Sequence, residues 1–215
     1  MEWLNKLSKH NISFETYKLN HGDAIIYNPV LQQNQYVLII HGLLYLQKIF
    51  NNKESLCLAI LTENTIINLN QLTSNQKLYY YQLVSLNTSY IISFQLCDIS
   101  AKDRRILISI NKAYYKTISQ YEEMIHILTH KYIKYRFIQL LLFLAKEKGN
   151  LVDNQIIIKL HINQATIGSI VGSNKNTVYN IINYLTEKKI IHCSARNNTI
   201  VILDVIGLNK IKSIV

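Results

Sequence analysis

The chain has 215 residues, a formal net charge of +10 at pH 7 and a pI near 9.4. This length allows a sizeable buried core, in one large domain or in a larger and a smaller one. The excess of Lys and Arg favours a polyanionic partner, because these cations displace counterions from phosphate or from an acidic surface. No apolar run approaches the roughly 20 residues that a membrane span needs, so we expect a soluble protein.

The cysteines Cys57, Cys97 and Cys193 are odd in number and far apart. This spacing suits buried, idle thiols in a reducing compartment rather than a disulfide framework. The first ten residues mix acidic and basic side chains without an apolar segment or a cleavage site, so no export signal is expected. Asn, Ile, Lys and Tyr are abundant and Pro is scarce, a bias typical of AT-rich genomes.

The residues from Phe14 to Phe94 form short apolar and aromatic runs separated by Asn, Gly and Ser clusters. This alternation predicts a β-sandwich or a jelly-roll-like barrel. Residues 20–23 and 51–52 fit the hairpin turns of such a fold. The predicted strands are Ile25–Tyr27, Tyr36–His41, Leu43–Phe50, Leu56–Leu61 and Gln82–Leu86.

A long helix is predicted over 103–148, because this segment lacks Pro and Gly and is followed by Gly149 as a helix stop. Apolar residues recur three and four residues apart along it, which is the spacing of a coiled-coil seam. Two copies of the helix would therefore pair; a helix packed on its own barrel is the alternative. The seam comprises Ile118, Tyr121, Ile125, Leu128, Tyr132, Tyr135, Gln139 and Leu142.

The remaining residues predict a winged helix-turn-helix module. A first helix over 163–171 has Asn163 as its N-cap, Gly172 occupies the tight turn, and a second helix runs over 173–185. Two Ile-rich stretches then form a β-wing with Arg196 at its tip. The inward faces of the two helices carry Ile167, Ile170, Val171, Val178, Ile181, Ile182 and Leu185, and the wing stretches are 190–193 and 199–203.

The outer face of the second helix has the polar composition that a helix in the major groove of DNA needs. Lys donates to guanine, Asn pairs bidentately with adenine, and Thr reaches a phosphate or a thymine methyl group. The predicted base-reading residues are Lys175, Asn176, Thr177 and Asn180. The residues expected to contact phosphates, which orient the protein without reading sequence, are Asn163, Ser173, Lys188, Lys189 and Arg196.

The string at 167–178 closely resembles the helix-turn-helix of the cAMP receptor protein/FNR (CRP/FNR) family of transcription regulators. Residues 185–191 are similar to that family's helix-to-wing junction, and the stretches 61–67 and 130–137 are similar to its cyanobacterial global nitrogen regulators of the NtcA type. The resemblance implies an α+β fold with three parts. These are an N-terminal double-stranded β-roll like a cyclic-nucleotide-binding jelly roll over 1–102, a dimerisation helix over 103–148 and a winged helix-turn-helix DNA-binding domain over 149–215.

The family also implies a homodimer on double-stranded DNA at a palindromic operator, with one recognition helix per half-site, and RNA polymerase as a further partner. Lys175 and Asn180 stand where relatives commonly place two Arg for guanine, so the resemblance does not imply an operator sequence. No catalytic motif stands out, which argues against an enzyme. The rival hypothesis is a metabolite-binding or protein-interaction module whose winged domain has lost operator recognition.

Residues 68–82 lack the Gly-Glu and Arg-Ser pairs of a cyclic-nucleotide site, which argues against cAMP. The nitrogen regulators sense 2-oxoglutarate, whose carboxylates need cationic partners when buried. By comparison with them, one Arg falls near Tyr79 and the other at Thr117, while the acidic position is kept as Glu122. Lys77 or Lys116 could supply the missing charge, so 2-oxoglutarate is a candidate effector and no other cofactor is expected.

His126 and His130 have the four-residue spacing of a helical metal site, but no third ligand is evident, so we favour a polar helix surface and no metal. Together these features predict a transcription regulator of the nitrogen-control type. The composition and the resemblance predict a plastid protein of the chloroplast stroma, with a bacterial cytoplasm as the alternative.

Overall fold

The computed structural model describes residues 2–26, 35–68, 79–95, 104–160, 162–194 and 199–213. The chain divides into two compact units, Met1–Met124 and Ile125–Val215. None of the helices within the described ranges is long and apolar enough to cross a lipid bilayer. The first unit contains α1 (Glu2–Lys9), β1 (Phe14–Leu19), β2 (Ala24–Ile26), β3 (Gln35–His41), β4 (Leu44–Phe50), β5 (Ser55–Leu61), β6 (Ile66–Asn68), β7 (Tyr79–Ser85) and β8 (Ser89–Gln95).

These eight strands form two antiparallel sheets, in the orders β1-β8-β3-β6 and β2-β7-β4-β5. Because strand residues alternate between faces, each sheet presents one apolar face to the other. This arrangement confirms the predicted double-stranded roll. The core between the sheets contains Val37, Ile39, Leu44, Leu46, Ala59, Leu61, Ile67, Tyr81, Leu83 and Ile91.

The opposite face of the first sheet is covered by two helices. Trp3 and Leu7 of α1, four residues apart, are both buried there, as are Ile106, Ile110 and Ala113 from the helix that follows β8. These helical residues pack on a second set of strand side chains. The strand residues of this second core are Tyr36, Leu38, Ile66, Ile92 and Phe94.

The five predicted strands correspond to β2, β3, β4, β5 and β7, although Tyr27 lies outside the described residues. The sequence did not predict α1, β1, β6 or β8. Strand β1 has four exposed residues in a row, so it carries no alternating apolar pattern, and β6 is only 3 residues long. Pairing with β8 and β3 respectively holds these two strands in place.

The prediction of one continuous helix over 103–148 is wrong. Two helices occupy this segment, α2 (Arg104–Thr129) and α3 (Ile133–Lys148), and residues 130–132 between them are not helical. Neither Pro nor Gly marks the interruption. Instead, the carbonyl of His130 accepts a hydrogen bond from the Arg136 side chain at 2.8 Å. The Arg136 side chain thus donates to the His130 carbonyl in place of the backbone N–H that would bond to this carbonyl in a continuous helix.

Within the described residues, the second unit packs α3 and three further helices together with a small sheet. Its antiparallel sheet has the strand order 191–194, 199–202, 155–159 and 149–152. The strand at 199–202 joins the wing to the strand that the apolar patch at 156–160 forms. The predicted wing is confirmed as a strand pair, whereas its tip at Arg196 lies outside the described residues. After α3 the elements are β9 (Gly149–Val152), β10 (Gln155–Lys159), α4 (Gln164–Val171), α5 (Lys175–Glu187), β11 (Ile191–Ser194), β12 (Thr199–Ile202) and α6 (Val205–Ser213).

Candidate nucleic-acid interface

Helices α4 and α5 form a helix-turn-helix whose ends are set by local capping. The side chain of Asn163 accepts a hydrogen bond from the Thr166 N–H at 2.8 Å and so caps α4. Gly172 ends that helix with φ 69° and ψ 47°, a left-handed conformation in which residues with a Cβ are disfavoured. These two features confirm the predicted first helix and turn.

Close backbone approach at the turn requires a second glycine. A Cβ at Gly168 would lie 2.8 Å from the Ser173 carbonyl oxygen, and the Ser173 N–H donates to the Gly168 carbonyl at 2.8 Å. Any side chain at 168 would therefore push the turn away from α4. The glycine allows α5 to start directly after the turn.

The inward faces of both helices are buried, as predicted. Ile170 and Val171 of α4 and Val178 and Leu185 of α5 have no exposed surface. This packing stabilises the two helices against each other, since each buried aliphatic side chain contributes about 1.5–3 kcal/mol. The full buried set is Ile167, Ile170, Val171, Val178, Ile181, Ile182 and Leu185.

The outer face of α5 is polar and open. Lys175, Asn176, Tyr179 and Asn180 are exposed, and Asn183 continues the same face half-buried. The helix carries no acidic residue in its first turn. A surface of Lys and Asn donors without nearby acids is the type that fits the major groove, and contact between these residues and bases stays a prediction.

Thr177 is engaged within the helix itself. The Asn174 side chain caps α5 by accepting from the Thr177 N–H at 2.8 Å and from the Thr177 hydroxyl at 3.1 Å. Thr177 is half-buried, so its hydroxyl serves the cap in this structure. The sequence analysis placed Asn174 at the start of the second helix but assigned it no role, whereas the structure shows that it is the N-cap of α5.

The residues predicted to contact phosphates lie around the two helices. Lys188 and Lys189 are exposed at the end of α5, while Asn163 and Ser173 stand at the start of α4 and in the turn. Residues 135–211 contain nine Lys or Arg and four Asp or Glu, so this part of the chain is basic. Arg196 lies outside the described residues.

Arg136 on α3 is a site residue that the sequence did not identify. Its Nη1 donates to the Val171 carbonyl at 3.2 Å, and its Nε donates to the His130 carbonyl. The half-buried guanidinium thereby contacts the last residue of α4. The sequence shows only that Arg136 directly precedes two apolar residues, Phe137 and Ile138, which does not point to a contact with α4.

Among the residues that the structure describes, the effector candidates Lys116 and Glu122 do not converge. Lys116 donates from Nζ to the Glu63 carbonyl at 2.6 Å, and Glu122, six residues further along α2, is exposed on another face. Lys77 lies outside the described residues. Thr117 is buried and hydrogen-bonded to the Ile66 backbone.

Neutral side chains line the interior of the roll next to α2. Tyr121 packs against the core between the sheets, and burial raises the pKa of Tyr121 to about 12 and that of Tyr81 to about 12. Tyr79 stacks under the Lys48 ammonium, which lies 3.5 Å from the ring centroid. Burial thus keeps Tyr81 and Tyr121 uncharged at neutral pH.

The predicted dimer seam is only partly exposed. Ile118 and Ile125 of α2 are 52% and 60% exposed, whereas Tyr121 faces the roll core and Leu128 is half-buried. Tyr132 follows the end of α2, so it cannot continue a helical seam. The exposed apolar stripe of α2 consists instead of Ile108, Tyr115, Ile118 and Ile125.

The rings of His126 and His130 lie 5.3 Å apart in an edge-to-face arrangement. Among the described residues, no group of three or more His, Cys, Asp or Glu side chains is placed to hold a metal ion.

Comparison with known proteins agrees with this geometry. Residues 135–211 match the model of the Crp-like helix-turn-helix domain. The putative HTH-type transcriptional regulator ycf28 of Porphyra purpurea is 25% identical over 211 residues, which cover 97% of this chain and 86% of the relative. The global nitrogen regulator of Nostoc sp. is 24% identical over 190 residues, covering 86% and 84% of the two chains.

Solved structures share the fold. A transcriptional regulator of the CRP/FNR family from Thermus thermophilus superposes with a TM-score of 0.69 at 19% identity, covering 93% of this chain and 98% of the other. A second regulator from that organism, of the CRP family, gives a TM-score of 0.73 at 12% identity over 90% and 95%. The roll, the long α2 helix and the helix-turn-helix are therefore one known architecture.

Proposed function

We propose that this chain is a DNA-binding transcription regulator of the cAMP receptor protein/FNR family, and that it acts as a homodimer that binds a palindromic operator in a sequence-specific way. The observation that carries the proposal is the exposed face of α5. Lys175, Asn176 and Asn180 project from a helix that is capped at Asn174 and packed on α4. Such a helix can enter the major groove with its N-terminal residues against base edges.

The exposed stripe of α2 supports the homodimer. Ile108, Tyr115, Ile118 and Ile125 recur at intervals of three and seven residues on one helix face, and all four are more than half exposed. A second copy of α2 would cover them by seam packing. Dimerisation would place two recognition helices on half-sites about one helical turn apart.

The relatives suggest a biological setting for this proposal. Similarity to the global nitrogen regulators supports a role in nitrogen control. Similarity to ycf28, together with an amino-acid composition typical of AT-rich genomes, supports a location in the plastid stroma. RNA polymerase would be the protein partner if the output is activation.

Operator selection from random duplex DNA with the purified protein tests the main proposal. We expect one enriched palindrome whose half-sites are about 10 base pairs apart, centre to centre. The absence of any enriched palindrome would contradict sequence-specific binding and would favour a module that has lost operator recognition.

Lys175→Ala tests the recognition face on the selected operator. We expect a loss of about 1–3 kcal/mol that depends on the base pair opposite residue 175. Lys188→Ala is the matched control, because a phosphate contact should weaken binding to all sequences alike and reduce the salt slope by about one. If Lys175→Ala lost as much binding free energy on random DNA as on the operator, Lys175 would contact phosphates rather than bases.

2-Oxoglutarate is the first effector to test, because the similar proteins are nitrogen regulators. Isothermal calorimetry with the full chain would detect binding directly. Lys116→Gln is the informative variant, with Lys112→Gln on the exposed side of the same helix as its control. Heat of binding lost only in Lys116→Gln would place the effector at α2, and no heat in the parent protein would make the roll a scaffold.

A further inference from the structure

One side chain contacts the ends of two helices in the second unit. Arg136 lies in the first turn of α3, and its Nε donates to the His130 carbonyl at 2.8 Å, just past the end of α2. Its Nη1 donates to the carbonyl of Val171, the last residue of α4, at 3.2 Å. The two acceptors are 41 residues apart in sequence, so this bridge exists only in the folded unit.

The chemistry of the two acceptors explains why an arginine suits this position. The last carbonyls of a helix have no partner within the helix and carry partial negative charge. A guanidinium offers several N–H donors in a rigid planar fork, so it can satisfy two carbonyls from two different helices at once. A Lys ammonium at the end of a flexible stem does not fix the angle between its acceptors in this way.

The bridge reaches the turn of the helix-turn-helix. Gly172 follows Val171 with φ 69°, and a Cβ at this position would lie 3.3 Å from Arg136 Nη1. Gly172 and Ser173 also direct their N–H groups to the Gly168 carbonyl. The path of the chain from α4 into α5 is therefore defined on one side by α4 itself and on the other by Arg136.

We infer that Arg136 is a positioning residue for DNA recognition, which holds the turn at 171–174 and thereby sets the direction of α5 in the operator groove. This inference rests on the proposed DNA binding. Arg136 acts through the backbone of the turn and contacts neither base nor phosphate. Its loss lowers affinity for the operator without changing which sequence is preferred.

Arg136→Gln and Arg136→Lys test the inference on the operator selected with the parent protein. We expect Arg136→Gln to weaken operator binding by about tenfold, since the hydrogen bond from a charged donor to the Val171 carbonyl is lost. Arg136→Lys should recover part of the affinity, because it can still reach one carbonyl. The salt slope and the selected consensus should match those of the parent.

Two controls separate positioning from general effects. Ile158→Val removes one buried methylene of β10 in the same unit, and Lys53→Asn removes one exposed positive charge at a left-handed position of the other unit. Both should bind the operator like the parent when measured well below their melting temperatures. Equal affinity of Arg136→Gln and the parent under those conditions would overturn the inference, as would a salt slope reduced by about one in Arg136→Gln.

Hydrogen exchange provides a readout that does not depend on DNA. The amides of Gly172 and Ser173 should exchange at least about tenfold faster in Arg136→Gln, while those of α6 should be unchanged. Unchanged exchange at the turn would contradict the inference even if the affinity fell. If the turn exchanged faster in Arg136→Gln but the parent protein selected no operator, Arg136 would still hold the turn at 171–174. That result would contradict the proposed function instead.

Discussion

The hydroxyl of Thr117 exchanges two hydrogen bonds with the backbone of Ile66. Thr117 Oγ1 donates to the Ile66 carbonyl at 2.8 Å and accepts from the Ile66 N–H at 3.0 Å. The pair joins α2 to β6, and both residues are buried. A strand of only 3 residues is thus held by a helix as well as by its neighbour β3.

Thr117→Val should destabilise the first unit by about 1–3 kcal/mol, because it leaves two buried backbone groups without a partner at nearly unchanged volume. Urea unfolding measures the loss, and fluorescence of Trp3, the single Trp, reports on this unit. Ser119→Ala on the exposed side of α2 is the control and should be nearly neutral. A Thr117→Val protein as stable as the control would show that water replaces both bonds.

Ile125→Glu should convert the proposed dimer to a monomer. The side chain is 60% exposed on α2, so a carboxylate costs little in a monomer but becomes buried and unpaired in a dimer seam. Light scattering measures the mass. Lys18→Glu, which is exposed on β1 and is not part of α2, should leave the dimer intact. A dimeric Ile125→Glu protein would move the interface away from this stripe.

Substitutions of Asn174 should separate two effects, the capping of α5 and the charge of its surface toward DNA. Asn174→Ala should cost about 1 kcal/mol of unfolding free energy, because the cap to Thr177 is lost.

Asn174→Asp should keep that stability, since a carboxylate also caps a helix and favours its N-terminus. It should nevertheless weaken operator binding, because a negative charge then faces the phosphates. Thermal unfolding and a binding titration separate the two effects. Full operator affinity in Asn174→Asp would place the start of α5 away from DNA.

Alkaline pH should destabilise the first unit, because burial raises the pKa of the Cys57 thiol from its ordinary value of 9.0 to about 12. Above about pH 9 the unfolded chain loses this proton while the folded chain retains it. The stabilisation of the folded state by the protonated Cys57 thiol is therefore fully present below pH 9 and is lost as the pH rises toward 12.

The unfolding free energy should accordingly fall less steeply between pH 9 and 11 in Cys57→Ala than in the parent, as followed by Trp3 fluorescence in urea. Tyr81 and Tyr121, whose pKa values burial also raises to about 12, should contribute to the remaining fall, as should Tyr45 and Tyr114, whose pKa values burial raises as well. Identical slopes for parent and variant would mean that Cys57 is accessible to hydroxide in the folded state.

The sequence by itself determined the helix-turn-helix. Asn163, Gly172 and the buried residues at helical spacing act on partners within a few positions, so the caps, the left-handed turn and the inward faces could be read directly. The strands with alternating apolar residues were predictable for the same reason. Strands with an exposed run, such as β1, were not, because pairing rather than pattern holds them.

Only the tertiary structure decided where the long helix ends and which of its residues stay exposed. The break at 130–132 depends on Arg136, and the burial of Tyr121 depends on the roll. Thr117 is hydrogen-bonded to Ile66, which is 51 positions away in the sequence. Arg136 is hydrogen-bonded to Val171, which is 35 positions away. A hydrogen bond or contact of this kind forms only when distant segments meet, and no local periodicity encodes which backbone carbonyl will lie within reach of which side chain.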